Sequence, residues 1–291
     1  MNDYVALTKP RITWLILMST GVGYFFGLPA GLRAASFSSF GDWLRLFHTI
    51  IGTGLIASGT AALNQWYERD ADRKMKRTEN RPLPAGKLSA PRTMWFGITL
   101  VIAGFLELWL GVNLLSASLG AFTMASYLFL YTPLKQRSAL ATVIGALPGA
   151  MPPMIGFAAA SGDLSAPAWA LFAILFLWQF PHFLAISWMY REDYARAGIL
   201  MLPVVNPDGH STSRQMVIYA STLIPVSLFP CLLGMTGKIY LVGAMLLGCW
   251  YLYSGFRVFF DGTRVRARQV LLVSVIYLPL IYGLMVLDRP I

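Results

Sequence analysis

The chain has 291 residues, 56% hydrophobic and 12% charged, with a formal net charge of +10 at neutral pH and a mean hydropathy of +0.59. A soluble domain carries about 25% charged residues, so the composition excludes a soluble globular fold and predicts an all-α, polytopic integral membrane protein. The positive excess points to membrane topology and to anionic partners at one face, and gives no indication of nucleic-acid binding.

Apolar stretches of about 20 residues, long enough to span a bilayer, are expected at 12–31, 43–66, 92–112, 114–132, 139–160, 166–189, 215–235, 239–258 and 268–287. Nine transmembrane helices follow, with the whole chain, 1–291, forming one membrane-embedded domain. The positive-inside rule tests the threading independently of hydropathy. With a cytoplasmic N-terminus, 19 of the 23 Lys and Arg residues fall on the cytoplasmic side, and only Arg33, Arg45, Lys238 and Arg289 fall outside. An odd number of spans leaves the C-terminus outside. Without a transit-like extension before Tyr4, a bacterial plasma (inner) membrane is expected.

In chain order, Thr8-Lys9-Pro10-Arg11 leads into the first span, with Pro10 suited to a helix start. That span is read as a retained helix, since no convincing cleavage site follows it. Chemistry collects in the second segment, Asn64 to Gly86. At 100° per residue, Asn64, Glu68 and Asp72 stand at i, i+4 and i+8 and share one helix face, while Asp70 falls on another. Carboxylates four apart repel, so a cation near that face is expected, either an arginine or a metal. Oxygen donors without Cys or His suit a hard ion such as Mg²⁺, which typically shares carboxylates with substrate phosphates. Arg73, Lys74, Lys76, Arg77 and Arg81 follow at once and could meet those phosphates. The competing view is a solvated loop whose acids pair with Arg69 and Arg73.

Glu107 in the third span reads as a snorkelling or paired structural carboxylate. The connection Tyr131 to Arg137 carries Lys135 and Arg137, either ordinary anchors or further phosphate contacts. Pro148, Pro152 and Pro153, with Gly145 and Gly149, must bend or break the fifth span, which suggests a pocket wall. The sixth ends Trp178-Gln179-Phe180-Pro181-His182-Phe183 and runs on to Glu192-Asp193, mirroring the second. His182 is a candidate axial ligand or acid/base group, set against an ordinary buried histidine. The stretch 197–210 is long enough for a lid. Cys231 and Cys249 read as packing residues rather than a disulfide or metal site. The segments expected to carry chemistry are therefore 64–86, 131–137 and 182–210.

At these residues the chain resembles the UbiA superfamily of intramembrane prenyltransferases. Asn64, Glu68 and Asp72 match its first motif, an Asn with acids four and eight positions later, and Asn80-Arg81-Pro82-Leu83-Pro84 matches the run that follows. Blocks between residue 8 and about 205, including Gly149 to Gly156, Trp178 to Phe183 and Glu192 to Gly198, are most similar to the branch that prenylates haem. That resemblance implies transfer of a farnesyl group from farnesyl diphosphate to a vinyl group of haem B, with water addition, giving haem O and diphosphate. It further implies Mg²⁺ on Asn64, Glu68, Asp72 and Asp193, with Glu192 beside the last. Arg73, Lys74, Arg77, Arg81, Lys135 and Arg137 would contact diphosphate and His182 would contact haem. The implied partners are the two substrates, the bilayer and a downstream haem-modifying enzyme or oxidase assembly partner. Glu68 stands where the superfamily usually has Asp, and the second motif lacks the usual pair of aspartates. The rival expectations are a relative that prenylates an aromatic acid for quinone biosynthesis, a transporter, and a purely structural membrane subunit.

Overall fold

The computed structural model describes residues 3–29 and 40–290, and all regular secondary structure among them is helical. Nine long helices follow in chain order: α1 Pro10–Gly27, α2 Phe40–Tyr67, α3 Ala90–Gly111, α4 Leu114–Leu134, α5 Ala141–Ser161, α6 Ala166–Met189, α7 His210–Leu232, α8 Lys238–Phe260 and α9 Arg264–Leu287. Among the described residues eight helices, α2 to α9, are long and apolar enough to cross a membrane. The remaining helix, α1, has 18 residues and opens on Pro10-Arg11, so a proline and a charge fall within its single 18-residue window. Arg33, expected on the far side, lies outside the described residues.

The eight expected spans from 43–66 onward each overlap one of α2 to α9; the first, 12–31, overlaps α1 but runs past Gly27, and its last two residues lie outside the described ones. At the helix starts the largest differences are at α7 and α9, whose first turns are polar and therefore invisible to an apolar window: His-Ser-Thr-Ser-Arg opens α7 and Arg-Val-Arg-Ala-Arg opens α9. Thr263 caps α9 by accepting from the Arg266 amide, which satisfies one of the amides a helix start leaves open.

The antiparallel pair α2 and α3 packs through small residues. A Cβ on Gly59 would lie 2.6 Å from the Gly97 carbonyl oxygen, and one on Gly104 2.6 Å from that of Gly52, so glycine is what permits this approach. Helix α5 is broken as its prolines require, into Ala141–Gly149 and Pro152–Ser161. The break is filled rather than hollow. Residues 152–159 are all buried, and Gln179 Nε2 donates to the Ala146 carbonyl at 2.8 Å. The pocket wall expected at this bend is thus a packed core element, built against α1 and α6.

The C-terminal half encloses an apolar core that includes the fully buried Tyr240, Tyr251, Tyr277 and Tyr282. Three of the tyrosine hydroxyls are used within it: Tyr251 donates to the Trp178 carbonyl at 3.0 Å, Tyr240 to the Ser227 carbonyl at 2.6 Å, and Tyr277 shares a 2.9 Å bond with the Ser227 hydroxyl. Glu107 has a partner, His48 Nδ1 at 2.7 Å, linking α2 to α3. Cys231 and Cys249 are free thiols.

Candidate active site

Helix α2 ends at Tyr67, and a short helix, Arg69–Asp72, continues after Glu68. The break does not disturb the register, because the Glu68 amide donates to the Asn64 carbonyl at 2.9 Å and the Asp72 amide to the Glu68 carbonyl at 2.8 Å. The i, i+4, i+8 ladder expected from spacing is therefore present. Asn64 and Asp72 are 2% and 1% exposed. Asp70 points to solvent, where Arg69 and Arg73 lie 3.9 and 3.8 Å from its carboxylate. Those two arginines serve Asp70 and not the ladder acids.

Each rung is held by its own basic group. Lys135 Nζ donates to Glu68 Oε1 at 2.8 Å while Asn64 Nδ2 donates to Oε2 at 2.9 Å. Arg81 reaches back over the turns at 73–80 to place one nitrogen 2.9 and 2.8 Å from the two Asp72 oxygens. Thr78 fixes that return by donating its hydroxyl to the Asp72 carbonyl at 2.8 Å. Burial would raise the Glu68 carboxyl, but the Lys135 and Lys9 charges and the Lys135 and Asn64 hydrogen bonds outweigh it and hold the group below its ordinary value. For Lys135, burial would lower the ammonium, and Glu68 reverses the effect so that it stands well above its ordinary range.

Lys135 is delivered by an irregularity at the end of α4, where Ser126–Tyr131 form a π-helical turn. Pro133 has no amide to donate, and such turns often occur at functional sites. The Thr132 hydroxyl donates to the Tyr127 carbonyl at 2.8 Å and accepts from Asn64 Nδ2 at 3.4 Å. The Lys135 ammonium lies 4.3 Å from the Tyr131 ring centroid.

One base in the cluster was given no role by sequence reasoning. Lys9 adopts the left-handed region (φ 48°) immediately before α1 and donates from Nζ to Asn64 Oδ1 at 3.3 Å. Burial, then the Arg81 and Lys135 charges, lower its pKa to about 7 against the pull of Glu68 and Asp72. The available signal was the cation directly before Pro10, at the same end of the bundle as the ladder.

A second acidic segment closes the site from the other half. Asp193, buried in the helix Arg191–Arg196, accepts from the Arg77 amide at 3.3 Å and pairs with Arg196. Arg77 also donates to the Tyr194 hydroxyl at 3.2 Å and lies 4.9 Å from the Tyr190 ring centroid. The stretch expected as a lid is packed down, with Ile199 and Met201 buried against Ala71 and Met75. The Leu200 amide donates to the Lys135 carbonyl at 2.7 Å, so all three expected segments meet. An open cleft of about 390 Å³ runs beside them, lined in part by Lys9, Gln65, Arg77, Asn80 and Arg81.

The structure thus gathers Asn64, Glu68, Asp72, Arg77, Arg81, Lys135 and Asp193. It leaves Arg73, Lys74, Arg137 and Glu192 exposed around the rim. His182 lies apart, about 12 Å along α6 from Tyr190 at 1.5 Å per residue. Its Nδ1 is 2.7 Å from the Ser274 hydroxyl and its ring stacks on Trp178 at 5.0 Å. Among the described residues no three His, Cys, Asp or Glu side chains form a metal cage by themselves. The carboxamide and carboxylate oxygens nevertheless fit Mg²⁺, which needs only one or two carboxylates when substrate phosphates complete its shell.

Residues 13–278 match the UbiA prenyltransferase family. The chain is 70% identical over 290 residues to a protein of Solibacter usitatus named protoheme IX farnesyltransferase, covering 100% of this chain and 99% of the relative. A protein of the same name from Koribacter versatilis is 46% identical, covering 100% and 94%. Among solved structures, that of a digeranylgeranylglyceryl phosphate synthase superposes with a TM-score of 0.78 at 17% identity, covering 98% of this chain and 97% of the other. A UbiA homologue from Archaeoglobus fulgidus bound to DMAPP and Mg²⁺ gives 0.65 at 14% identity, covering 98% and 99%. At these identities the structural likeness shows the fold alone.

Proposed function

The chain belongs to the UbiA prenyltransferase family, and we propose that it transfers a farnesyl group from farnesyl diphosphate to a vinyl group of haem B, with addition of water, to give haem O and diphosphate. One observation carries the chemistry: a buried ladder of oxygen donors in which Asn64, Glu68 and Asp72 are each engaged by a different basic side chain. The name shared by its 70% and 46% identical relatives supports haem as acceptor.

Asn64, Glu68, Asp72 and Asp193 would hold Mg²⁺, which when bound there neutralises charge on the leaving diphosphate. Lys135, Arg81, Lys9 and Arg77 would take the diphosphate oxygens, stabilising the charge that develops as the allylic carbon–oxygen bond breaks and its electron pair departs with the leaving group. Arg73, Lys74 and Arg137, exposed around the rim, act earlier by attracting an anionic substrate. The apolar bundle shelters the allylic cation from water until the vinyl π pair forms the new carbon–carbon bond. Water then adds to the resulting cation and loses a proton. His182, whose Nδ1 is engaged by Ser274, would contact haem iron through its other ring nitrogen.

In this assignment α1 is the ninth crossing, the N-terminus is cytoplasmic and the C-terminus lies outside a bacterial inner membrane. The product passes to a downstream haem-modifying enzyme or oxidase assembly partner. The direct test is mass spectrometry of pigments after incubating purified protein with haem B, farnesyl diphosphate and Mg²⁺, with Asp72→Asn in parallel. A farnesylated, hydroxylated haem formed only by the unmodified protein is expected. Prenylation of a benzoate acceptor instead, with haem B untouched, would overturn the assignment.

A further inference from the structure

A second concavity lies between α8 and α9, away from the ladder. On α8 it is lined by Trp250, Tyr253, Ser254 and Arg257, and on α9 by Gln269, Leu272, Val273 and Ile276. Both sets follow i, i+3, i+4, i+7, so each helix contributes one continuous stripe of two turns, about 10 Å long. The stripes run antiparallel and enclose a groove of about 260 Å³. They are sorted along its length. Arg257 and Gln269 stand together at the end nearest the α8–α9 connection, whereas Trp250 and Ile276 lie at the other end. Tyr253, Leu272 and Ile276 are exposed rather than covered by another part of the chain.

The polar end of the groove carries unbalanced charge. Arg257, Arg264, Arg266 and Arg268 cluster around the connection, with Asp261 as the one acid among them. Asp261 is engaged by Arg266 at 3.1 Å, and Gln269 accepts from Arg266 at 3.2 Å. No ion pair among the described residues involves Arg257, whose guanidinium lies 5.8 Å from the Tyr253 ring centroid. A cation at the interface end of a trough that continues along membrane-crossing helices complements one kind of molecule in its surroundings: a phosphate-bearing head with an apolar chain.

We propose that the α8–α9 groove is a binding site for an anionic glycerophospholipid, with the phosphate on Arg257 and Gln269 and one acyl chain along Leu272, Val273 and Ile276. None of its lining residues lines the cleft beside the ladder. Native mass spectrometry of the delipidated protein, titrated with phosphatidylglycerol or phosphatidylcholine of identical chains, reads it directly. A first adduct of phosphatidylglycerol that binds severalfold more tightly than phosphatidylcholine is expected. Arg257→Gln should weaken phosphatidylglycerol about fivefold (~1 kcal/mol) and phosphatidylcholine, whose phosphate is balanced by its own choline cation, by less, and Arg257→Lys should restore most of it. Lys87→Gln, which removes an exposed charge elsewhere, should leave the adduct unchanged. Leu272→Trp, which fills the trough, should weaken both lipids and gives a second readout if Arg257→Gln fails to fold. Equal affinity for the two lipids, or indifference to both the Arg257 and Leu272 changes, overturns the proposal.

Discussion

The Glu68–Lys135 pair offers a quantitative check on how the site is held. Their side chains are 13% and 12% exposed with oxygen and nitrogen 2.8 Å apart, so the Coulomb attraction at an effective dielectric of 20 is about 6 kcal/mol gross. Desolvation of both ions offsets much of this, and removing one partner of such a pair typically costs about 3–5 kcal/mol because the other charge is left stranded. Lys135→Met should therefore destabilise strongly, while Glu68→Gln with Lys135→Met should recover much of the loss. Thermal or denaturant unfolding of the two single variants and the double variant closes the cycle, with a coupling of about 2–3 kcal/mol expected. At neutral pH both ions keep their charge. Glu68, held below its ordinary value, loses its contribution only as pH falls through its folded value. Lys135, held above its own, loses its contribution only as pH rises through that higher value. A coupling below about 0.5 kcal/mol would show that the two ions are solvated independently and that the geometry carries no energetic weight.

Asp72→Asn removes the charge that Arg81 grips with two bonds and should lower turnover about 100-fold or more, measured as haem O formed per minute, with folding retained. Chelation of Mg²⁺ should stop turnover yet leave the unfolding temperature of the substrate-free protein unchanged, because every ladder acid already has a cationic partner; a large thermal shift would contradict that pairing. Gly59→Val, placing a Cβ 2.6 Å from the Gly97 carbonyl oxygen, should separate α2 from α3 and cost at least about 2 kcal/mol, visible as a drop in folded yield and unfolding temperature. His182→Ala should abolish the Soret change on adding haem B without altering farnesyl diphosphate binding, and Ser274→Ala should weaken that change by loosening the ring; unchanged spectra in both would return His182 to a packing role.

The helices were legible because lipid imposes one requirement on every span, a run of apolar residues that bonds its own backbone, and that requirement is local in sequence. The ladder was legible for the same reason: Asn64, Glu68 and Asp72 are linked by backbone bonds four residues apart, so spacing alone sets their common face. Partners supplied by distant segments were harder. Nothing within a few residues of Asn64 announces Lys9 or Thr132, and the Arg77 amide reaches Asp193 across 116 positions. The prolines of α5 announced a bend correctly, but a proline states only which amide is missing, not what fills the space. Here Gln179 fills it from α6. Arg73 lies against the nearer Asp70, the partner that the solvated-loop view of this segment had offered it.

The pairing of Glu68, Asp72 and Asp193 with bases also bears on how a site can stay folded with so much buried charge. Glu68, Asp72 and Asp193 would repel one another if left bare at the end of an apolar bundle, and each is neutralised by a side chain from a different segment: Lys135 after α4, Arg81 from the turns after the ladder, and Arg196 beyond α6. The same pairs are suited to exchange. In the proposed reaction Glu68 and Asp72 would hold the metal and Lys135 and Arg81 would meet the diphosphate, so each side chain now in an ion pair would keep an oppositely charged partner. Lys9 would give up least of these bases on meeting a phosphate, since among the described residues its ammonium donates to a carboxamide oxygen at 3.3 Å and not to a carboxylate.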